Sequence, residues 1–352
     1  MTTEEIRARI RPVDKRSMEE AREHWMTVGK PLFSLGKLEE AVIRMAGIQR
    51  TPRVCIDKKG LIIMCADNGV VAEGVTQTGQ EVTAIVAENF VGHRSSVCLM
   101  SDVAGVDIFP IDIGMIKDVP GVSIPEDKVA YGTGNLLHEC AMTREEVEQA
   151  LSIGICAVEE RKREGYQILA TGEMGIGNTT TSSAVASVLL GVPVPQVTGR
   201  GAGLSSSGLA RKIQVIEEAI AKHQPDSYDV IDVLSKVGGL DIAGLVGVYL
   251  GGAIFGIPIV IDGFISAVAA LCAMRMDERV RDYMMPSHVS KEPAGAMLLE
   301  ALGLSPFLTC DMCLGEGSGA VSVLPLLEMG LRVYHEMGTF DDIKVEQYQV
   351  LK

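Results

Sequence analysis

Leu61-Ile62-Ile63-Met64-Cys65-Ala66, followed at once by Asp67-Asn68-Gly69, is the stretch that decides the fold. Six apolar residues with no polar alternation make a strand covered on both faces, and Asp-Asn-Gly stops it. The pattern recurs at Val106 to Ile113 before Gly114, at Ile168 to Thr171 before Gly172, and at Ile257 to Ile261 before Asp262-Gly263. Helical periods lie between these runs. Val147, Leu151, Ile155 and Val158 share one helix face, as do Leu209, Ile213, Ile216 and Ile220. Strand then helix, repeated, predicts an α/β protein: a wound, mainly parallel sheet with helices on both faces, of Rossmann-like architecture.

Outward from this body the pattern changes. Ser17 to Lys30 and Leu38 to Ile48 read as amphipathic helices with no strand between them, and Leu324 to Met337 reads as a C-terminal helix. The expected organisation is a large α/β domain over 49–324 and a small helical subdomain built from 1–48 with 325–352. No repeat, low-complexity tract or Ser/Gly linker interrupts the body. Ile242 to Ile261 carries no charge and approaches bilayer-spanning length, but six glycines or prolines within it and the bracketing Asp241 and Asp262 predict a buried helix, a Gly-Ile-Pro turn and a buried strand. No membrane association is expected.

The chain has 352 residues and a net charge of −14, with no local basic cluster, which excludes a nucleic-acid track. Most of the eight cysteines sit in apolar runs, and the charged start Glu4-Glu5-Ile6-Arg7 has no apolar signal region. A reducing cytoplasm is the expected compartment.

In a wound sheet, ligands bind beyond the carboxyl ends of the strands. Gly172-Glu173-Met174-Gly175-Ile176-Gly177-Asn178-Thr179-Thr180 precedes an Ala/Val-rich helix, so glycine N–H groups and hydroxyls collect at a helix N-terminus suited to phosphate. A plain capped helix entry is the other reading. Gly199-Arg200-Gly201-Ala202-Gly203, leading to the helix with Lys212, is a second phosphate-side candidate or else a surface connection. In Leu314-Gly315-Glu316-Gly317-Ser318-Gly319-Ala320 one carboxylate is enclosed by glycines after an apolar residue, a setting that raises a glutamate pKa and suits a general base. The formal G-x-G-x-x-A match there lacks a following βαβ unit and is not a dinucleotide fingerprint. Cys310-Asp311-Met312-Cys313 is a lone C-x-x-C, and the six histidines show no metal-ligand spacing, so no metal is expected. Nucleoside-triphosphatase loops and serine-hydrolase elbows are absent.

Five segments in order, Cys65 to Val75, Gly172 to Thr180, Ser235-Lys236-Val237-Gly238-Gly239-Leu240-Asp241, Asp262-Gly263-Phe264-Ile265-Ser266 and Leu314 to Ala320, together resemble the nicotinate-nucleotide:dimethylbenzimidazole phosphoribosyltransferase family over nearly the whole chain. The resemblance implies transfer of phosphoribose from nicotinate mononucleotide to a base such as 5,6-dimethylbenzimidazole, giving an α-riboside phosphate for cobamide lower-ligand assembly. It implies no metal or organic cofactor. By the resemblance Glu316 is the general base and Glu173 a second active-site carboxylate that positions ribose. Gly175, Gly177, Asn178, Gly201, Lys212, Asp262 and Ser290 fall on the phosphate and ribose side, and Thr78, Val86, Met174 and Leu314 in the acceptor pocket.

Two departures bear on the acceptor. Asn68 stands where the family commonly has His, and Val86 where some members have Gln; loss of an amide handle suits a smaller or less polar acceptor. The alternatives are family drift, a phenol- or p-cresol-using subunit of a heteromer, or a catalytically silent partner subunit. The expected partners are the two small-molecule substrates and a second subunit, in a homodimer or a heterodimer with a homologous chain.

Overall fold

A computed structural model of the chain describes residues 3–350. Five strands, β1 (Lys59–Ala66), β2 (Val106–Gly114), β3 (Ile168–Met174), β4 (Ile259–Ile261) and β5 (Met284–Pro286), form one sheet in the order β2-β1-β3-β4-β5. Every pairing is parallel. This is the wound α/β fold expected from the apolar runs. β1 is buried along its whole length, and its side chains divide strictly by parity: Ile62, Met64 and Ala66 join one apolar cluster, while Leu61, Ile63 and Cys65 join the other.

The first cluster packs the sheet against the helices Arg144–Arg163, Asn178–Leu190, Leu240–Phe255 and Phe264–Met276. Leu240–Phe255 contains most of the uncharged stretch Ile242 to Ile261 tested above for membrane spanning. It ends at Gly256 in the left-handed conformation and leads to β4, as expected for a buried helix, turn and strand. Gly154 and Gly247 let it touch Arg144–Arg163 backbone to backbone. A Cβ at Gly154 would overlap the Gly244 carbonyl and lie 2.8 Å from the Val248 nitrogen. Among the described residues no helix is long and apolar enough to cross a membrane.

The second cluster covers the opposite face with Lys15–Thr27, Lys37–Gln49, Glu81–Val91, Ser96–Ala104 and Ser318–Glu336. Trp25 and Tyr334 meet edge to face, their centroids 4.9 Å apart, so helices from the two ends of the chain lie side by side. The same cluster contains Leu61, Ile63 and Val260 of the sheet. The helix Ser318–Glu336 has its first seven residues before the 324/325 boundary drawn from sequence and crosses it. Residues 1, 2, 351 and 352 of the expected small unit lie outside the described residues.

Three strands differ from the sequence reading: β4 begins at Ile259 and not at Ile257, after the Gly256 turn. β3 continues through Gly172 to Met174 because these residues pair in register with Ile63 to Cys65 of β1, and Gly172 lets the Glu316 carbonyl pack on the strand, where a Cβ would lie 2.5 Å from that oxygen. β5 has no counterpart in that reading. It is three residues long, ends in proline and carries two methionines, below the length at which an apolar run stands out.

Candidate active site

The strand order reverses between β1 and β3, the position at which wound sheets open a crevice at their carboxyl edge. A cleft of about 1140 Å³, open solvent at its mouth included, lies there. Its walls come from Val75–Thr78 and Val86 beyond β1, Glu173 to Thr179 at the end of β3, Asp262 to Ser266 after β4, His288 to Glu292 after β5, and Cys313 to Glu316. Of the sequence-predicted site residues, Glu316, Glu173, Gly175, Gly177, Asn178, Gly201, Asp262, Ser290, Thr78, Val86, Met174 and Leu314 all line it. Lys212 lies one layer behind.

Glu316 sits on a turn in which Gly315, Glu316 and Gly317 all have positive φ, +88°, +62° and +94°. For the glutamate this is a strained conformation, of the kind that persists only where surrounding contacts impose it. Asp262 imposes it here. Its carboxylate accepts from the backbone N–H of Gly319 (2.7 Å), Ala320 (3.0 Å) and Gly317 (3.3 Å), capping the helix Ser318–Glu336 from another part of the chain. Gly319 leaves room for His288, whose ring a Cβ would overlap, and His288 Nδ1 lies 3.0 Å from Ser287 Oγ. Asp262, expected on the sugar side, is therefore committed to holding the Glu316 turn. Burial pushes its carboxyl up while His288 and the N–H groups oppose that.

The Glu316 carboxylate is half-buried, with one oxygen, Oε2, out of solvent and without a hydrogen-bond partner. Burial raises its pKa, a backbone hydrogen bond from Val97 lowers it, and the charge on Asp262 raises it further. Glu173 is more deeply placed. Burial, reinforced by Asp241, pushes it up to about 8 despite the hydrogen bond donated by Asn178 Nδ2. The same amide donates to Asp241 Oδ2 at 2.9 Å. Asp241 is itself raised by burial to about 6. Asn178, expected to touch phosphate or ribose, thus spends its side-chain donors on two carboxyl groups. Burial and the neighbouring Asp241 thus bias Glu173 toward its protonated form, beside the partly buried Glu316 in the same cleft.

Lys212 is fully buried on the inner face of the helix Ser206–His223. Its Nζ donates to Thr179 Oγ1 (2.8 Å) and to the Gly199 carbonyl (3.3 Å), which ties the two glycine turns together. Burial pushes it down to about 8. Gln77 donates from its side chain to the Gly203 carbonyl and closes the same rim from the other side. The turn Gly175–Gly177 is pinned from below. Ile176 N–H donates to Thr83 Oγ1 (3.1 Å) and Asn68 Nδ2 to the Ile176 carbonyl (3.3 Å). Asn68 is buried beneath this turn and is absent from the cleft wall, so its departure from His bears on turn support, whereas Val86 does face the cleft.

His288, Glu292, Arg200 and Phe264 also line the cleft, and sequence reasoning gave none of them a role. His288 and Glu292 follow β5, and recognising that strand would have led to both by the after-strand rule. Cys310 and Cys313 are exposed free thiols, and no group of three or more His, Cys, Asp or Glu is placed to hold a metal among the described residues.

A parallel sheet whose carboxyl-edge cleft brings together the Glu316 turn and two glycine turns, with Lys212 buried behind them, is a framework suited to an enzyme for phosphorylated sugars. A family profile described as phosphoribosyltransferase matches residues 10–345, and the chain belongs to that family. Its relatives carry a narrower name. The nicotinate-nucleotide–dimethylbenzimidazole phosphoribosyltransferase of Acetivibrio thermocellus is 48% identical over 323 residues, 92% of each chain. That of Clostridium acetobutylicum is 45% identical over 352 residues, 100% of each. The crystal structure of CobT from Thermus thermophilus superposes with a TM-score of 0.89 at 38% identity, covering 95% of this chain and 100% of that one.

Proposed function

We propose that this chain transfers the phosphoribosyl group of nicotinate mononucleotide to 5,6-dimethylbenzimidazole, releasing nicotinate and forming an α-riboside phosphate. The observation that carries this is the meeting of Glu316, its Oε2 unpartnered, with the buried Glu173 and the two glycine turns in one cleft. The chemistry needs one base and no acid. The leaving nitrogen of the mononucleotide is a pyridinium; as the C1′–N bond breaks it takes the electron pair and becomes neutral, so no general acid is required. The acceptor must lose its N–H proton as its other nitrogen bonds to C1′, so one base is required, and Glu316 fills that role. Glu173, holding its proton, positions the sugar. Attack from the face opposite nicotinate turns the β-riboside into the α-riboside.

The phosphate falls to the Gly175 and Gly201 turns with Lys212 behind them, where backbone N–H groups and a buried cation favour an anion. Thr78, Val86, Met174 and Leu314 receive the flat apolar acceptor. A homodimer is also proposed. The helix Ser96–Ala104 turns Leu99 (59% exposed) and Val103 (86%) outward one turn apart, an apolar strip that a second copy would cover.

The test is incubation of the purified chain with nicotinate mononucleotide and, separately, dimethylbenzimidazole, adenine, phenol and p-cresol, following nicotinate release and product mass. Transfer to dimethylbenzimidazole is expected. Transfer to phenols alone would reassign the acceptor, and mononucleotide binding without transfer to any acceptor would mark a silent subunit.

A further inference from the structure

Glu292 stands two residues beyond Ser290, on the segment leaving β5, and lines the cleft. Its Oε2 is buried and accepts no hydrogen bond. The space for that oxygen is made by Gly199: a Cβ there would overlap Oε2 and lie 2.8 Å from the Glu292 carboxyl carbon. The carboxylate is thus fitted against backbone that carries no side chain. Lys212 reaches the same peptide from the other side, donating to the Gly199 carbonyl at 3.3 Å and to Thr179 Oγ1 at 2.8 Å rather than to Glu292. Burial pushes the Glu292 carboxyl up, and the nearby Lys212 charge pulls it back.

A buried acceptor without a donor is unfavourable unless a ligand supplies one. The polar groups of nicotinate mononucleotide sort cleanly against it. The 5′-phosphate and the nicotinate carboxylate are anions that only accept, and Glu292 repels both. The ribose hydroxyls are the only donors on that molecule, and the N–H of the acceptor base belongs to Glu316. Gly199 of the phosphate-side turn abuts the Glu292 carboxylate and both Gly201 and Glu292 line the cleft, so a ribose attached to a phosphate held at that turn is within reach of Glu292.

Resting on the function proposed above, we infer that Glu292 accepts hydrogen bonds from the ribose hydroxyls of the mononucleotide and makes the cleft selective for ribose over deoxyribose.

The experiment compares the wild-type chain and Glu292→Gln with nicotinate mononucleotide and its 2′-deoxy and 3′-deoxy analogues. It reads kcat/KM from nicotinate release with dimethylbenzimidazole, and Kd from calorimetry. A hydroxyl bonded to a charged acceptor predicts roughly 10- to 100-fold wild-type preference for the ribo compound over at least one analogue, narrowing to about threefold in Glu292→Gln. Gly199→Ala, which displaces the carboxylate without removing it, should narrow the preference as well, with thermal melts confirming that both variants fold. A folded Glu292→Gln that keeps the wild-type preference overturns the inference. If the wild type releases no nicotinate, the proposed function fails, and calorimetry still decides this point. A ribo preference in Kd that Glu292→Gln loses supports it, and equal or undetectable binding of all three compounds overturns it.

Discussion

Asp262→Asn removes one charge from the helix Ser318–Glu336 and one acceptor from its N-terminus. The amide oxygen of asparagine can still take the Gly319 and Ala320 N–H groups, at 2.7 and 3.0 Å in the parent, but its NH2 group then faces Gly317 N–H, which donates at 3.3 Å. An orphaned buried N–H costs about 1–3 kcal/mol, and losing the anion at a helix N-terminus costs up to about 2 kcal/mol more. A total of roughly 2–4 kcal/mol, set against an unfolding entropy of about 0.7 kcal/mol/K for a chain of this length, lowers Tm by about 3–6 °C. Catalysis suffers separately. Releasing the strained Gly315–Gly317 turn moves Glu316, and a shift of ~1 Å in a reacting group costs about 100-fold. Differential scanning calorimetry and nicotinate release measured on the same sample give both numbers. An Asp262→Asn protein with wild-type Tm and kcat would refute the view that this carboxylate holds the Glu316 turn.

Three further outcomes follow from the same geometry. Glu173 is raised to about 8 in the folded chain, above its ordinary unfolded value, so it contributes stability that is full at low pH and declines as pH rises toward 8. Glu173→Gln should flatten that segment of the Tm–pH curve, and an unchanged slope between pH 5 and 8 would contradict the burial argument. Gly154→Ala puts a methyl into the Gly244 carbonyl, and overpacking of this kind costs about 1–3 kcal/mol, which melting would register while KM for the mononucleotide stays at the parent value. Leu99→Arg should convert the proposed homodimer to a monomer in sedimentation; a dimer that persists would place the interface elsewhere.

The fold was legible because each long strand announces itself as an apolar run, and the parity of Leu61 to Ala66 is simply what burial on both faces requires. β5 escaped because Met284–Pro286 is too short to carry a pattern, and its loss concealed His288 and Glu292 with it. Most residues that line the cleft could be reached from glycine spacing and family resemblance. What spacing cannot reveal is where a polar side chain spends its bonds. Asp262 and Asn178 have the right chemistry to touch a sugar, yet each is occupied within the protein, by helix N–H groups in one case and by Glu173 and Asp241 in the other. Lys212 shows the reverse. Its position on a helix gave no sign of full burial, and tertiary packing is what lowers its pKa to about 8.

The central claim, that Glu316 is the base, is tested most directly with Glu316→Gln in a single-turnover experiment, mononucleotide binding being measured in parallel by calorimetry. The account predicts an unchanged Kd for nicotinate mononucleotide and transfer to dimethylbenzimidazole slowed by about 100- to 10,000-fold. Transfer at the wild-type rate with the same Kd would contradict it.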